Sequence, residues 1–479
     1  MSWFPRLLVT VFSVTALHAA SARDLSGEER ALHALNRLGY GARPGDLQRV
    51  MDMGVEHYID VQLHPETLPQ PPALTQRLAR LPAVQESAAD AVAQFTAAQQ
   101  AAKQDDEAGN AAGRQQRREA YQRMAEQVAE ARLARAIDSP RQLEEVMVDF
   151  WYNHFNVFAG KGIDRALVAS YERDAIRPYA LGRFRDLLGA TAHHPAMLFY
   201  LDNWLSAAPG YQPPRRAGNG PKVNGLNENY ARELMELHTL GVDGGYTQQD
   251  VTELARMLTG WTFAPRQMGR TGESFRFDPA RHDNGTKQWL GYTVPPGGRA
   301  EGEWALDVLA AHPATAHHIA YQLAQYFVAD APPPALVDTL ARRFLDTQGD
   351  IRAVLATLFS SREFWNPAYV GAKFKTPYQY VVSVARASGI DVLNIRPLLG
   401  TLAQLGMPLY GCQTPDGYKN TEAAWLNPDA LTRRINFATA YASGKLPLAK
   451  PYDVDDAPGM GRRQLERAAQ PNDNARWTT

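Results

Sequence analysis

Residues 227–261 read NENYARELMELHTLGVDGGYTQQDVTELARMLTGW. The pattern is helix, Gly-containing turn, helix. At 3.6 residues per turn, Asn229, Arg232, Glu233 and Glu236 share one face of the first helix, and Tyr230, Leu234 and Leu237 the other. Glu228 and Glu236 each stand four residues from Arg232, so either can pair with it. Gly241 is the expected left-handed residue that lets the chain leave the helix. Thr247 and Asp250 make a capping-box pair that opens the second helix. Its apolar stripe is Val251, Leu254, Ala255 and Leu258, and Gly260 ends it.

Five ionisable groups therefore crowd a short stretch: Glu228, Arg232, Glu233, Glu236 and His238. Glu236 and His238 are two residues apart, about 200° around a helix, so a regular helix cannot aim both at one metal ion. The stretch has no HExxH pattern. The bland reading of this face is a solvated surface or an ion-pair lattice that fixes packing. The sharper one is an acid–base or ligand site completed by groups from elsewhere in the chain.

The same punctuation recurs outward from this stretch. ERALHALNRLGYG is capped by Ser26 and Glu29 and ends at Gly39 and Gly41, with His33 on its apolar face as a packed core residue. Residues 83–137 are rich in Ala, Gln, Arg and Glu and read as a long helical-hairpin insertion with a solvated face and no chemistry. EEVMVDFWYNHFNVF places Asp149, Asn153 and Asn156 on one face and His154 among aromatic residues. His194-Pro195 begins a further helix. Residues 205–226 are Pro- and Gly-rich and read as a lid over the Asn227 helix or a disordered surface loop. Amphipathic helices with solvated charged faces fill 301–390. Asn284-Gly285, between FRF and KQWLGYTV, predicts a small β-hairpin near 275–292, with His282 and Asp283 in an exposed loop. The tail 451–479 is polar and reads as disordered. Together these give a mainly α, multi-helical single large domain over 23–450.

The chain has 479 residues, 45% hydrophobic and 21% charged, which is ample for a large core. A net charge of −1 gives no electrostatic case for nucleic acid. Residues 1–22 read as a Sec-type signal peptide. Arg6 precedes an apolar run from Leu7 to Leu17, then Ala20-Ser21-Ala22, with cleavage expected after Ala22. That run is short of the about 20 residues of a typical span, and no other segment is apolar enough for one. The expected location is the periplasm or the medium. The lone cysteine, Cys412, cannot form an internal disulfide and reads as a packed residue.

Several stretches in the same order resemble a large family of exported bacterial proteins known as domain of unknown function 1800. They include ALNRLGYGARPGD, FWYNHFNV, HPAMLFYLDN, NENYARELMELHTLGVDGGYTQQDV, ARMLTGW, FRFDPARHDNGTKQWLG, KFKTP and GMPLYG with AWLNPDAL. The resemblance implies a mostly helical secreted protein. Members are often encoded beside an exported protein of the alkaline-phosphatase-like superfamily, which implies a partner of that kind.

Two function classes follow. The first is an exported hydrolase or oxidoreductase acting on an envelope or extracellular substrate. Its polar cleft is expected to hold His154, Arg232, Glu233, Glu236, His238, His282 and Asp283, with Asn153 beside them. Glu233 or Glu236 is the acid–base group, raised in pKa by burial or by its neighbouring carboxylate. Arg232 holds an anionic group, and histidines from separate segments complete any metal site. The residues name no cofactor. The second class is a non-enzymatic envelope or secretion scaffold, working with the co-encoded partner.

Overall fold

The computed structural model describes residues 24–450 other than 108, 213–222 and 224. The expected signal peptide, the expected disordered tail and half of the expected lid segment lie outside the described residues. The ends of that segment are held together: the Ala207 amide donates to the Gly225 carbonyl, and the Asn227 amide to Ser206 Oγ.

Helices dominate, and their starts follow the local chemistry. Ser26 with Glu29, Thr247 with Asp250 and Thr376 with Gln379 each close a reciprocal capping box. His194 and His312, each followed by proline, cap their helices through Nδ1, which accepts the amide two residues on. The helices Pro313–Phe327, Pro334–Asp346 and Ile351–Ser360 pack in succession. Trp151, Trp261 and Trp289 are fully buried at the centre. His33 is buried against the rings of Phe364 and Trp365, and burial lowers its pKa to about 4, as a core histidine requires.

The first helix of the opening stretch is shorter than its pattern suggests, spanning Asn229–Glu236. The His238 amide reaches back to the Glu233 carbonyl at 3.0 Å, and Thr239 Oγ1 to the Leu234 carbonyl at 2.6 Å. These wide closing bonds end the helix before Gly241, which takes φ 84° a few residues further on. His238 is therefore outside the helix and turns into the core. The second helix, Gln248–Met257, packs against its predecessor and against Arg299–Ala311.

The β structure also differs from expectation. Strands β1 (Trp261–Thr262) and β2 (Arg276–Phe277) pair antiparallel, as do β3 (Lys287–Trp289) and β4 (Tyr292–Val294). The hairpin turn is Leu290-Gly291, both at positive φ (46° and 80°) as a type I′ turn demands. Asn284-Gly285 makes no hairpin because Asp283 Oδ1 captures the Gly285 amide and its carboxylate is tied to Arg256.

The Ala/Gln-rich segment is a helical hairpin, Ala88–Glu107 and Ala111–Asp138. It does carry chemistry. Arg132, on its second helix, is buried and donates to Asp149 at 2.5 Å and to Glu172 at 3.0 Å. A π-helical turn, Tyr171–Ile176, carries Glu172, which also accepts from Tyr410 and Arg177. Burial pushes the Glu172 carboxyl up, but Arg132 and Arg177 outweigh it and hold it at about 2.

One buried carboxyl lacks such partners. Asp164 is fully buried, and neither oxygen has a hydrogen-bond partner among the described residues. Burial raises its pKa well above the ordinary value, with Lys161 opposing and Asp202 adding to the rise. The neutral form is favoured in the folded chain, so its contribution to stability is full below the unfolded pKa and is lost as pH rises through the folded one. Asp164→Asn should therefore raise the melting temperature at pH 8 and leave it nearly unchanged at pH 4, as measured by calorimetry at the two pH values.

Candidate functional site

Where the Gln142–His154 helix, the end of the Asn229–Glu236 helix and the Pro313–Phe327 helix meet, they leave a cavity of about 250 Å³. A loop running from Met407 to Asn420 closes one side. The Gln142–His154 helix supplies Asp149, Asn153 and His154, and Glu236 comes from the end of the opening helix. His318, Gln322, Gln325 and Tyr326 line the third side, and Asp416, Tyr418, Lys419 and Asn420 the loop side.

Two asparagines hold that loop. Asn153 Oδ1 accepts the Tyr418 amide at 2.7 Å, while its Nδ2 donates to the Tyr418 carbonyl at 2.8 Å. Asn156 donates to the carbonyls of Cys412 and Thr414. Gly417, at φ 67°, passes so close that a Cβ there would stand 2.2 Å from the Asn153 carbonyl oxygen. Only glycine fits both the conformation and the approach. Cys412 is buried with its thiol pushed up by burial, which agrees with a packed residue.

The histidines are organised around the end of the opening helix. His154 Nε2 lies 3.1 Å from the His238 carbonyl, and His318 Nε2 lies 3.3 Å from the Leu237 carbonyl. Gln322 bridges the two rings, 2.7 Å from His154 Nδ1 and 3.0 Å from His318 Nε2. Burial, with His318 nearby, lowers the His154 pKa to about 3, so the ring is neutral at any physiological pH. Both of its nitrogens are engaged, and neither is free to take a proton from a ligand. His238 is buried on the Phe155 ring at 5.0 Å, its Nε2 has no partner among the described residues, and burial holds its pKa well below the usual range. These histidines are braces and core rather than open cleft groups, and the acid–base role stays with the carboxylates, where the sequence placed it.

Glu236 faces the cavity, and Glu233 stands one turn behind it, half-buried. Burial raises the Glu233 pKa first, Glu236 and Asp416 add to the rise, and Arg232 opposes it. Arg232 does not line the cavity. It donates to Glu228 at 3.3 Å and to Gln248 at 2.8 Å, tying its helix to the next.

His282 and Asp283 belong to a different place. His282 is buried rather than loop-exposed, with Nδ1 2.9 Å from the Thr259 carbonyl and Nε2 3.0 Å from Glu301 Oε1. Lys287, also fully buried, meets Glu301 Oε2 at 2.5 Å. Asp283 pairs with Arg256, which also holds Glu253. Neither residue lines the cavity. Burial pushes the Glu301 carboxyl up, but hydrogen bonds from His282 and Lys287 hold it below its ordinary value. Among the described residues no three His, Cys, Asp or Glu side chains converge as metal ligands would. The metal site expected from histidines of separate segments is not assembled among the described residues: His154 and His318 face carbonyls, and His282 lies between the Thr259 carbonyl and Glu301.

Sequence reasoning passed over His318, Gln322, Gln325 and Tyr326. Their spacing of four, seven and eight residues from His318 is the signal: a polar face on the inward side of a helix otherwise rich in Ala, Ile and Leu.

The sequence pattern of a family described as "Protein of unknown function (DUF1800)" matches residues 33–478. The chain belongs to that family. Searches of curated proteins and of solved structures returned no match. Membership in DUF1800 agrees with the mainly α architecture and leaves the chemistry to be argued from the cleft. No helix of the described residues is long and apolar enough to cross a membrane.

Removing one partner of a buried pair leaves an uncompensated charge. Glu301→Gln should destabilise the fold by about 3–5 kcal/mol, as measured by urea unfolding, because Lys287 then lacks its carboxylate.

Proposed function

We propose that this DUF1800 chain is an exported hydrolase whose acid–base pair is Glu236 and Glu233, acting on an envelope or extracellular substrate. The observation that carries the reading is the position of Glu236 on the cavity, with a second carboxyl of raised pKa one turn behind it. A carboxyl whose pKa is raised by burial suits the acid role. Glu236 takes a proton from water as the water attacks. Glu233, protonated and one turn back from the cavity lining, returns a proton to the leaving group through one water. Together they add water across the broken bond and need no electron carrier, which favours hydrolysis over oxidation. The histidine brace fixes the carbonyls that flank Glu236 and thereby positions its carboxylate. Export rests on the signal pattern of residues 1–22.

A second reading, a non-enzymatic envelope or secretion scaffold bound to a co-encoded protein of the alkaline-phosphatase-like superfamily, draws on a separate observation. The ion pairs of Arg132, Asp149, Glu172, Arg177 and Glu145 close on one another, as a network built for packing does.

The test is hydrolysis of chromogenic glycosides, esters and peptides by the mature protein, recovered from the periplasm or medium with an intact mass that starts at Arg23. Glu236→Gln should lower turnover by about 10²–10⁴-fold with an unchanged melting temperature. Wild-type activity should fall as pH rises through the Glu233 pKa, because the acid is lost. If Glu236→Gln stays folded and retains turnover, the hydrolase reading fails. Co-purification of the phosphatase-like protein with no turnover in any variant supports the scaffold.

A further inference from the structure

The cavity has an imbalance of donors and acceptors. Several of its donors are spent on the protein, while the Tyr326 hydroxyl accepts from Gln379 Nε2. Asn153 Nδ2 serves the Tyr418 carbonyl, Tyr418 Oη the Pro408 carbonyl, Gln325 Nε2 the Asp330 carbonyl and Lys419 Nζ the Asp416 carboxylate. The Gln322 amide is engaged by the two histidines. Its acceptors remain. Glu236 presents a carboxylate that also meets the Tyr246 hydroxyl, Asp149 has one oxygen beyond the one Arg132 occupies, and the side-chain carbonyl oxygen of Asn420 is buried without a partner among the described residues.

A buried acceptor without a donor costs about 1–3 kcal/mol, so such a lining favours a ligand that brings its own donors. Charge points the same way. Asp416 is neutralised by Lys419 and Asp149 by Arg132, which leaves Glu236. Phe150 and Tyr326, whose rings stand 5.3 Å apart edge to face, line the same space and give it an aromatic wall of the kind that attracts cations. A metal ion fits less well, since among the described residues three or more His, Cys, Asp or Glu side chains do not converge. An ammonium group needs only acceptors at hydrogen-bond reach and an aromatic wall.

We propose that the cleft takes its ligand through a protonated primary amine, received by Glu236 and the Asn420 side-chain carbonyl against Phe150 and Tyr326. At about 250 Å³ the space suits a ligand of monosaccharide or amino-acid size. The proposal deepens the hydrolase reading by naming the substrate's chemistry, and it rests on that reading's use of Glu236 as a charged group.

The experiment is binding rather than turnover, so the two readings fail separately. Mature protein is titrated at pH 6 with D-glucosamine, D-glucose and D-glucuronate, followed by calorimetry and saturation-transfer NMR. Nα-acetyl-lysinamide serves as a second amine and distinguishes an amino sugar from a lysine side chain. Glucosamine or the lysine derivative should bind at least tenfold tighter than glucose, and glucuronate least. Asn420→Lys, in the loop, should weaken the amine at least tenfold with an unchanged melting temperature, and Glu236→Gln should do the same. Equal binding of glucose, preferred binding of glucuronate, no binding of either amine, or an unaffected Asn420→Lys variant overturns the proposal. Amine binding with no hydrolysis of any substrate class sinks the hydrolase reading alone.

Discussion

Two carbonyls just past the end of a helix lie against imidazole nitrogens from other helices. His154 and His318 approach the carbonyls of His238 and Leu237, and Gln322 joins the two rings. That arrangement fixes where the Asn229–Glu236 helix ends. It sends His238 inward onto Phe155 and leaves Glu236 on the cavity. Three segments distant in sequence are thereby set against one another at a single helix terminus, and the cleft is the space between them.

Around this terminus the charges are sorted by what they can reach. Arg132 and Arg177 hold Glu172 ionised although it is buried, while Glu233, with Arg232 drawn off towards Glu228 and Gln248, is left with a raised pKa. The carboxylate that is fully paired does structural work, and the one whose partner is occupied elsewhere can exchange a proton. The buried group of His282, Lys287 and Glu301 is a second solution of the first kind. It closes the base of the β3–β4 hairpin and takes no part in lining the cleft.

Helix positions were legible in the sequence because they rest on local chemistry. Ser26 with Glu29 and Thr247 with Asp250 cap as their spacing says, and the mainly α class follows. What depended on distant partners was not legible. Asn284-Gly285 carries a hairpin signal, yet Arg256 holds the neighbouring Asp283 and the turn forms at Leu290-Gly291 instead. His282 reads as a loop residue until Glu301 buries it. The opening helix was placed correctly, and its role as half of a cleft needed His318 and Gln322, which sequence separation hides. Glu236 was legible as a candidate by its helical face, whereas Arg232 on the same face turned outward to Gln248.

The helical hairpin of residues 88–138 has two unlike ends. Its second helix begins among mostly exposed residues, while Val128–Ile137 is almost wholly buried and includes Arg132. Length changes near the outer end touch little besides solvent. A deletion that reached Arg132 would strip the counter-charge from Asp149 and Glu172 at once. The arm is thus modular at its tip and obligatory at its root, so the segment least like its surroundings in composition is anchored by a residue the central helices cannot do without.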